Sequence, residues 1–381
     1  MNILVVCHYG LYHDLSFSYV HQQVREYVAM GHRVRVLIPN GMGKAGRDGK
    51  RIGKSAICSQ VDGAQLCDLR YVTLSSYGEK WFNTASAIAS IRLNWKRIMG
   101  DFAPDIIHAH TLGFTSQVGA WLKSRFHCPL VVTTHGSDTN VPLNNGQTDF
   151  LKACCDEADA VVAVSHQLRN RLASCGTTTL LRTIHNGFQV KDIPEGNVKK
   201  PGSMIQVCNL IPLKKVDVTI RAFAELKKRY PHMILTIVGQ GPVRQMLEEL
   251  CGELGISDAV EFTGQMPNDQ VLARLRESEI FVMASKPEGF GIVYLEAMSS
   301  GCVTIGTEGE GISDLIVHGE NGFLVPADDV DAIVNAVVHC QENAECVRNI
   351  VRRGICDSRE LTWAANAQHN LDLFAELAAD Q

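Results

Sequence analysis

Short apolar runs rich in β-branched residues recur along this chain, each followed by a stretch of helical period, and the alternation stops once and then starts again. Residues 1–7 (MNILVVC) read as a buried strand, and 18–30 as an amphipathic helix closed by Gly31 at a position that favours a left-handed backbone. Residues 33–38, 106–109, 130–134 and 160–164 read as further strands with helices between them. Asn186-Gly187 marks a turn, and the polar stretch 191–202, with Pro194 and Pro201, reads as a linker. Beyond it the pattern resumes. Strands are expected at 204–208, 233–238, 260–262, 280–283 and 303–306, and helices at 218–229, 243–254 and 270–277. Strand–helix alternation of this kind predicts an α/β fold with parallel sheets. At 381 residues the chain exceeds the roughly 250–300 that one core usually serves, so two units are expected.

Composition narrows the class. Hydrophobic residues make up 45% and charged residues 20%, which argues against disorder. No apolar run reaches the roughly 18 residues of a membrane span. The start carries no basic segment, so no signal peptide and a cytoplasmic protein are expected. Thirteen cysteines, an odd number with no C-x-x-C pair, read as reduced structural thiols and not as a zinc site. Residues 1–190 hold 19 Lys/Arg against 13 Asp/Glu, and the remainder 17 against 28. The basic first half suits an anionic partner, and the acidic second half speaks against nucleic acid.

The segment that carries chemistry is Pro287-Glu288-Gly289-Phe290-Gly291-Ile292-Val293-Tyr294-Leu295-Glu296-Ala297-Met298. A strand precedes it and a helix follows, and strand, glycine loop, helix start is an arrangement that binds phosphate. The N–H groups of Gly289, Phe290 and Gly291 are expected to be free beside about half a positive charge from the helix dipole. Glycine lets the backbone approach the anion. Glu288 and Glu296 would repel a phosphate unless aimed at hydroxyls. The pair therefore suits a phosphate-bearing polyhydroxyl ligand, with ribose at one end and hexose at the other; the alternative is an ordinary βα turn with two solvated glutamates. Lys214, after the strand at 204–208, can neutralise a diphosphate. Gly239, in the turn Val238-Gly239-Gln240-Gly241-Pro242, reads either as a tight connection or as a nucleotide contact. All these loops fall at strand carboxyl ends, where open α/β sheets bind ligands.

With these residues in view the chain resembles glycosyltransferase family 4, the group 1 glycosyl transferases: retaining enzymes of the GT-B fold, with two Rossmann-like domains facing a central cleft. The specific match is E-x7-E from Glu288 to Glu296. Gly264-Gln265, Gly311-Ile312-Ser313-Asp314 and Asn321-Gly322-Phe323-Leu324-Val325 also fit the spacing. The first half matches more loosely through Gly31-His32, Pro104-Asp105-Ile106-Ile107-His108-Ala109-His110 and Thr134-His135-Gly136-Ser137-Asp138. The resemblance implies an acceptor domain at 1–190, a donor domain at 203–360 and a C-terminal helix, about 361–381, crossing back to the first domain. It implies that Glu288 holds donor-sugar hydroxyls, that Phe290 and Gly291 offer amides, and that Glu296 holds the ribose. Lys214 would hold the diphosphate, and His135 would reach the sugar near the scissile bond. The implied partners are a nucleotide-sugar donor, UDP-sugar first, and a glycan or lipid-linked acceptor, with no cofactor and no metal. Two departures stand out. Asn209 occupies the place of a usual arginine, with Lys215 or Arg244 as substitutes, and Ser16-Phe17 replace a Gly-Gly loop. A non-catalytic nucleotide- or sugar-binding protein and a nucleotide-sugar epimerase of the same fold are the alternatives.

Other residues carry weaker signals. His108 and His110 alternate on a strand and face one side. With His135 they could ligate a metal, but a strand-end or acceptor-cleft role for His110 is the stronger reading. Asp138 either touches the acceptor or caps a loop. The basic loop 41–54 reads as a solvated loop or as contact with a lipid diphosphate acceptor or with anionic lipid headgroups at the inner membrane face. Residues 81–99 read as one amphipathic helix with Phe82, Ala85, Ile88, Ala89, Arg92, Trp95 and Met99 on its apolar stripe.

Overall fold

The computed structural model describes residues 1–8, 12, 19–42, 56–73 and 80–379. The chain divides into two compact units: Met1–Gly187 together with Trp363–Gln381, and Phe188–Thr362.

The first unit is built on strands β1 (Asn2–Val6), β2 (Arg33–Met42), β3 (Ala56–Val61), β4 (Ala64–Val72), β5 (Ile106–His110), β6 (Leu130–Thr134), β7 (Ala160–Ala163) and β8 (Leu180–Thr183). Among the described residues they form an eight-stranded sheet in the order β3-β4-β2-β1-β5-β6-β7-β8. The pairs are parallel except β3 with β4. Helices cover both faces, so the central strands are apolar throughout instead of alternating. Leu4 and Val6 pack into one core while Ile3 and Val5 pack into the other. The helix Trp363–Ala379 belongs to this unit and packs on helix Tyr19–Ala29, with Phe374 against Tyr27. Strand order reverses between β1 and β5.

The second unit has strands β9 (Lys200–Val207), β10 (Ile234–Val238), β11 (Val260–Gly264), β12 (Ser278–Val282), β13 (Val303–Thr307) and β14 (Phe323–Val325). Their order is β11-β10-β9-β12-β13-β14, all parallel. This is the doubly wound order, with its reversal between β9 and β12. Doubly wound sheets bind ligands at the strand carboxyl ends beside such a reversal.

Several expectations change. Residues 191–202 are not a free linker: Asn197 Nδ2 donates to Arg276 O (2.9 Å), and the Lys199 ammonium donates to the carbonyls of Leu275, Ser278 and Ser300. The helix expected over 81–99 breaks at Asn94 into Lys80–Leu93 and Trp95–Ile98. The Asn94 amide donates to Ser90 O (2.9 Å), a local bond that competes with helix continuation. Its buried side holds Ala87, Ile91, Ile98 and Met99, whereas Ala85 and Ala89 of the expected stripe are exposed. Gly41 and Met42 extend β2; the rest of the basic loop, and Ser16-Phe17, lie outside the described residues. The thirteen cysteines are unbridged. Among the described residues no helix is long and apolar enough to cross a membrane.

Candidate active site

In the second unit the loop after β9 and the loop after β12 are tied together: Lys286 N–H donates to Leu213 O (2.9 Å). This brings Lys214, at the end of a short 3-10 turn, to Glu288. The Lys214 Nζ lies 2.5 Å from Glu288 Oε2, with the two side chains 21% and 12% exposed. Ser285 Oγ donates to the same oxygen (2.8 Å), and Gly289 N–H donates to Oε1 (3.2 Å). A buried second carboxylate, Glu310 (4% exposed), accepts the N–H of Glu288 (2.8 Å). The loop itself is held from below, because Tyr294 OH donates to Met283 O (2.6 Å) and Thr307 Oγ1 to Ser285 O (2.9 Å).

The helix Ile292–Ser299 starts at Gly291, whose φ of +78° lies in the left-handed region, and no side chain caps it. No N-cap side chain therefore accepts from its first N–H groups, the arrangement that leaves a helix start able to bind an anion. Gly289 does not fit the expectation of a free amide, since its N–H is taken by Glu288. The Phe290 ring is 1% exposed, so this residue meets a ligand through its backbone or not at all. Glu296 sits on the same helix and accepts from Asn268 Nδ2 (2.8 Å). Burial pushes its carboxyl above the ordinary range, and the Asn268 bond and Lys191 pull it back.

Gly239 has a packing reason of its own. With φ at +135°, a Cβ there would stand 1.9 Å from Cys208 O, because the loops after β9 and β10 interlock through Cys208 N–H to Val238 O (3.0 Å). Asn209 is exposed beside this junction. The two cations considered as substitutes for an arginine there have other partners. Lys215 pairs with Asp328 (2.6 Å); Arg244 pairs with Glu248 (2.7 Å) and donates to Phe262 O (3.3 Å).

In the first unit the histidines gather at the carboxyl ends of β5 and β6. His108 is fully buried, with Nε2 2.7 Å from Thr133 Oγ1 and Nδ1 3.3 Å from Tyr27 OH. These partners leave it no nitrogen for a metal shared with the other two. The His110 ring lies over His108 (centroids 4.3 Å apart), and its Nδ1 is 3.1 Å from His135 Nε2. Burial drives all three imidazoles toward the neutral form. His108 falls to about 3, with the neighbouring His135 a smaller cause. His110 is pushed well down by burial and then by its two histidine neighbours; for His135, Asp138 opposes the effect of burial. Tyr19 stacks on His135 at 5.6 Å.

Two acceptor contacts expected here are replaced by structural ones. His110 is 1% exposed and meets His135, because β5 is covered on that face. Asp138 spends its carboxylate on the chain: Oδ1 accepts from the N–H of His135 and Gly136 (both 3.0 Å) and Oδ2 from Leu112 (2.8 Å). It staples the loops after β5 and β6. Glu310, Ser285 and Gln206, whose Nε2 donates to Lys214 O (3.0 Å), carried no signal in the sequence. The one trace was Glu310 standing before Gly311, where a Cβ would lie 2.1 Å from Gly289 O.

Comparison with known proteins bears on the family and the fold. Residues 189–355 match the family "Glycosyl transferases group 1" and residues 17–192 match "Glycosyltransferase Family 4". A GDP-mannose-dependent alpha-(1-6)-phosphatidylinositol monomannoside mannosyltransferase of Mycolicibacterium smegmatis is 30% identical over 227 residues, covering 55% of this chain and 59% of that protein. An N-acetyl-alpha-D-glucosaminyl L-malate synthase of Bacillus anthracis is 28% identical over 268 residues, 65% of this chain and 68% of that one. Among solved structures, sucrose-phosphate synthase from Thermosynechococcus elongatus superposes with a TM-score of 0.79 at 20% identity over the full length of both chains. Anabaena HepE in complex with UDP gives 0.73 at 18% identity, covering 99% of this chain and 100% of that one. The fold is GT-B, the two-domain arrangement of the glycosyltransferases it superposes on. The chain belongs to the group 1 glycosyltransferase family.

Proposed function

We propose that this protein is a retaining hexosyltransferase that works without a metal. It moves a sugar from a nucleoside diphosphate donor, a UDP-sugar first, to a glycan or lipid-linked acceptor in polysaccharide or glycolipid assembly. The observation that carries this reading is the Lys214–Glu288 pair at the strand reversal between β9 and β12, beside the uncapped start of helix Ile292–Ser299. At rest the two charges balance, so neither is left uncompensated in a partly buried place. A diphosphate draws the Lys214 ammonium to its oxygens, and Glu288 is then released to accept from sugar hydroxyls. Glu296, on the same helix, accepts from the ribose. His135 is assigned to the transferred sugar on the motif resemblance. Asn209 is the exposed neighbour that takes the place of a second cation.

In the proposed reaction the bond from the anomeric carbon to the diphosphate oxygen breaks, and its electron pair leaves with the diphosphate. The acceptor oxygen bonds to that carbon on the same face, and its proton passes to the leaving diphosphate. The protein then supplies positioning and charge stabilisation through Lys214 and the helix amides.

Names of relatives point to two bases: GDP-mannose in the mycobacterial mannosyltransferases and UDP in several solved structures. Thermal denaturation with UDP, GDP and ADP separates them, since a ligand stabilises the fold it binds. The largest rise is expected with UDP. A rise with GDP alone overturns the choice of base and keeps the site; no rise with any of the three sinks the site. Product analysis with and without acceptor distinguishes transfer from epimerisation and from binding alone.

Peripheral contact with an anionic membrane surface is a second reading, favoured by Leu93. It is 87% exposed beside Arg92 and Trp95. Failure of the protein to float with anionic liposomes removes it.

A further inference from the structure

The first unit contains a set of buried polar atoms that the reading above does not use. Four lack a hydrogen-bond partner: Gln23 Oε1, His110 Nε2, His135 Nδ1 and Asn370 Oδ1. All four residues line one small pocket, closed by Asn366 and Trp363 of the C-terminal helix. Buried polar groups without partners are rare in folded proteins, and each costs free energy. Gln23, His110 and Asn370 are 3%, 1% and 1% exposed, so bulk solvent does not satisfy them. The amides are already oriented. Gln23 Nε2 donates to Asn366 Oδ1 (2.6 Å), Asn370 Nδ2 donates to Asn366 O (2.9 Å), and Asn366 Nδ2 donates to His185 O (2.7 Å). Both orphaned amide atoms are therefore carbonyl oxygens, which need donors.

We infer that this pocket binds one internal water, held by Gln23, His110 and Asn370, and that this water sets the tautomer of His135. The space measures about 10 Å³, near the roughly 10–15 Å³ that one water requires. A buried water usually makes about three hydrogen bonds, and three partners are present. Two carbonyl oxygens take both of its hydrogens. The third contact is then one the water accepts, so His110 carries its hydrogen on Nε2.

Neutral imidazole has one N–H and one lone pair. His110 Nδ1 is therefore a lone pair and accepts from His135 Nε2–H across the 3.1 Å contact. His135 in turn holds its lone pair on Nδ1. The string runs from Asn370 on the C-terminal helix, through water and His110, to His135. Gln23, His110 and Asn370 are positioning residues. They fix His135 with its lone pair on Nδ1, a buried nitrogen that lines the same pocket.

The test uses the full chain labelled with 15N-histidine, free of nucleotide, at neutral pH. Long-range proton–nitrogen spectra are expected to show His110 and His135 both protonated on Nε2 and unprotonated on Nδ1. Asn370→Leu and Gln23→Leu each remove one carbonyl. Each is expected to shift both histidines toward averaged tautomers, with the fold checked by circular dichroism. Wild-type His135 protonated on Nδ1 overturns the inference. So do unchanged tautomers in whichever of the two variants folds. A crystal structure that resolves waters provides an independent check: density within hydrogen-bond distance of all three residues supports the inference, and a dry pocket overturns it.

Discussion

The two units place their candidate side chains in equivalent parts of their sheets, at strand carboxyl ends near the reversal of strand order, and they use opposite electrostatics. The second unit holds a charged pair, Lys214 with Glu288, in partial contact with solvent. The first unit buries three neutral histidines behind Tyr19, Tyr27 and Phe374. A charged pair in partial contact with water can exchange partners, because an incoming anion substitutes for the carboxylate. A buried imidazole stays neutral to lower pH than an exposed one, because charging it would cost its solvation. One unit therefore keeps a charge available to an anion, and the other keeps its polar side chains uncharged within the core.

The strongest way to break this contrast is to remove a charge from the second unit. Lys214→Ala is expected to lower turnover by about 10²–10³-fold, the usual effect of losing a group that stabilises a leaving charge, and Glu288→Ala to lower it through loss of the contact that positions the sugar. The circular dichroism of each variant is expected to stay native. Wild-type turnover in either would remove the pair from the chemistry.

The next effect is on stability and lies in the first unit. Asp138→Ala strips acceptors from the N–H groups of Leu112, His135 and Gly136. Unpaired buried donors cost about 1–3 kcal/mol each, so the urea midpoint is expected to fall clearly. A neutral result would return Asp138 to the acceptor.

Acid sharpens the contrast further. The folded pKa values of His108, His110 and His135 lie below their ordinary value of 6.5. The stability they contribute is present above pH 6.5 and is lost as pH falls toward about 3, the folded value of His108. His108 adds a slope of about 1.4 kcal/mol per pH unit in that window, and His110 and His135 act in the same direction. Denaturant titration of His108→Asn is expected to show a shallower acid slope than the wild type. Glu296 in the second unit has the opposite sign. Its carboxyl is raised, so its contribution is present below the ordinary 4.5 and is lost as pH rises through its folded value.

The smallest effect is expected at Glu296 itself. Glu296→Ala should weaken UDP binding about tenfold, or about 1.4 kcal/mol, by calorimetry. Unchanged affinity would detach this carboxylate from the nucleotide.

Much of the site was legible where its parts are close in the chain. Glu288, the glycine loop and Glu296 occupy one strand–loop–helix unit, so spacing alone places them together. Lys214 was legible from its place after a strand, but its direction toward Glu288 was not. Glu310 meets Glu288 N–H from 22 residues away, and Gln23 meets Asn366 across 343 residues. No local pattern encodes such contacts. Asp138 and His110 were open to two readings because the same residue types cap loops, pack in cores and bind ligands.

By itself the sequence determined two α/β units, their parallel strands and the loop that starts helix Ile292–Ser299. These follow from apolar period, glycine placement and neighbouring residues, all local along the chain. Only the tertiary structure decided which side of each polar group is satisfied: that Asp138 serves the backbone, that Gly289 gives its N–H to Glu288, and that three histidines are neutral. Desolvation and pairing depend on what arrives from distant parts of the chain, and they exist only once the sheets and the C-terminal helix have packed.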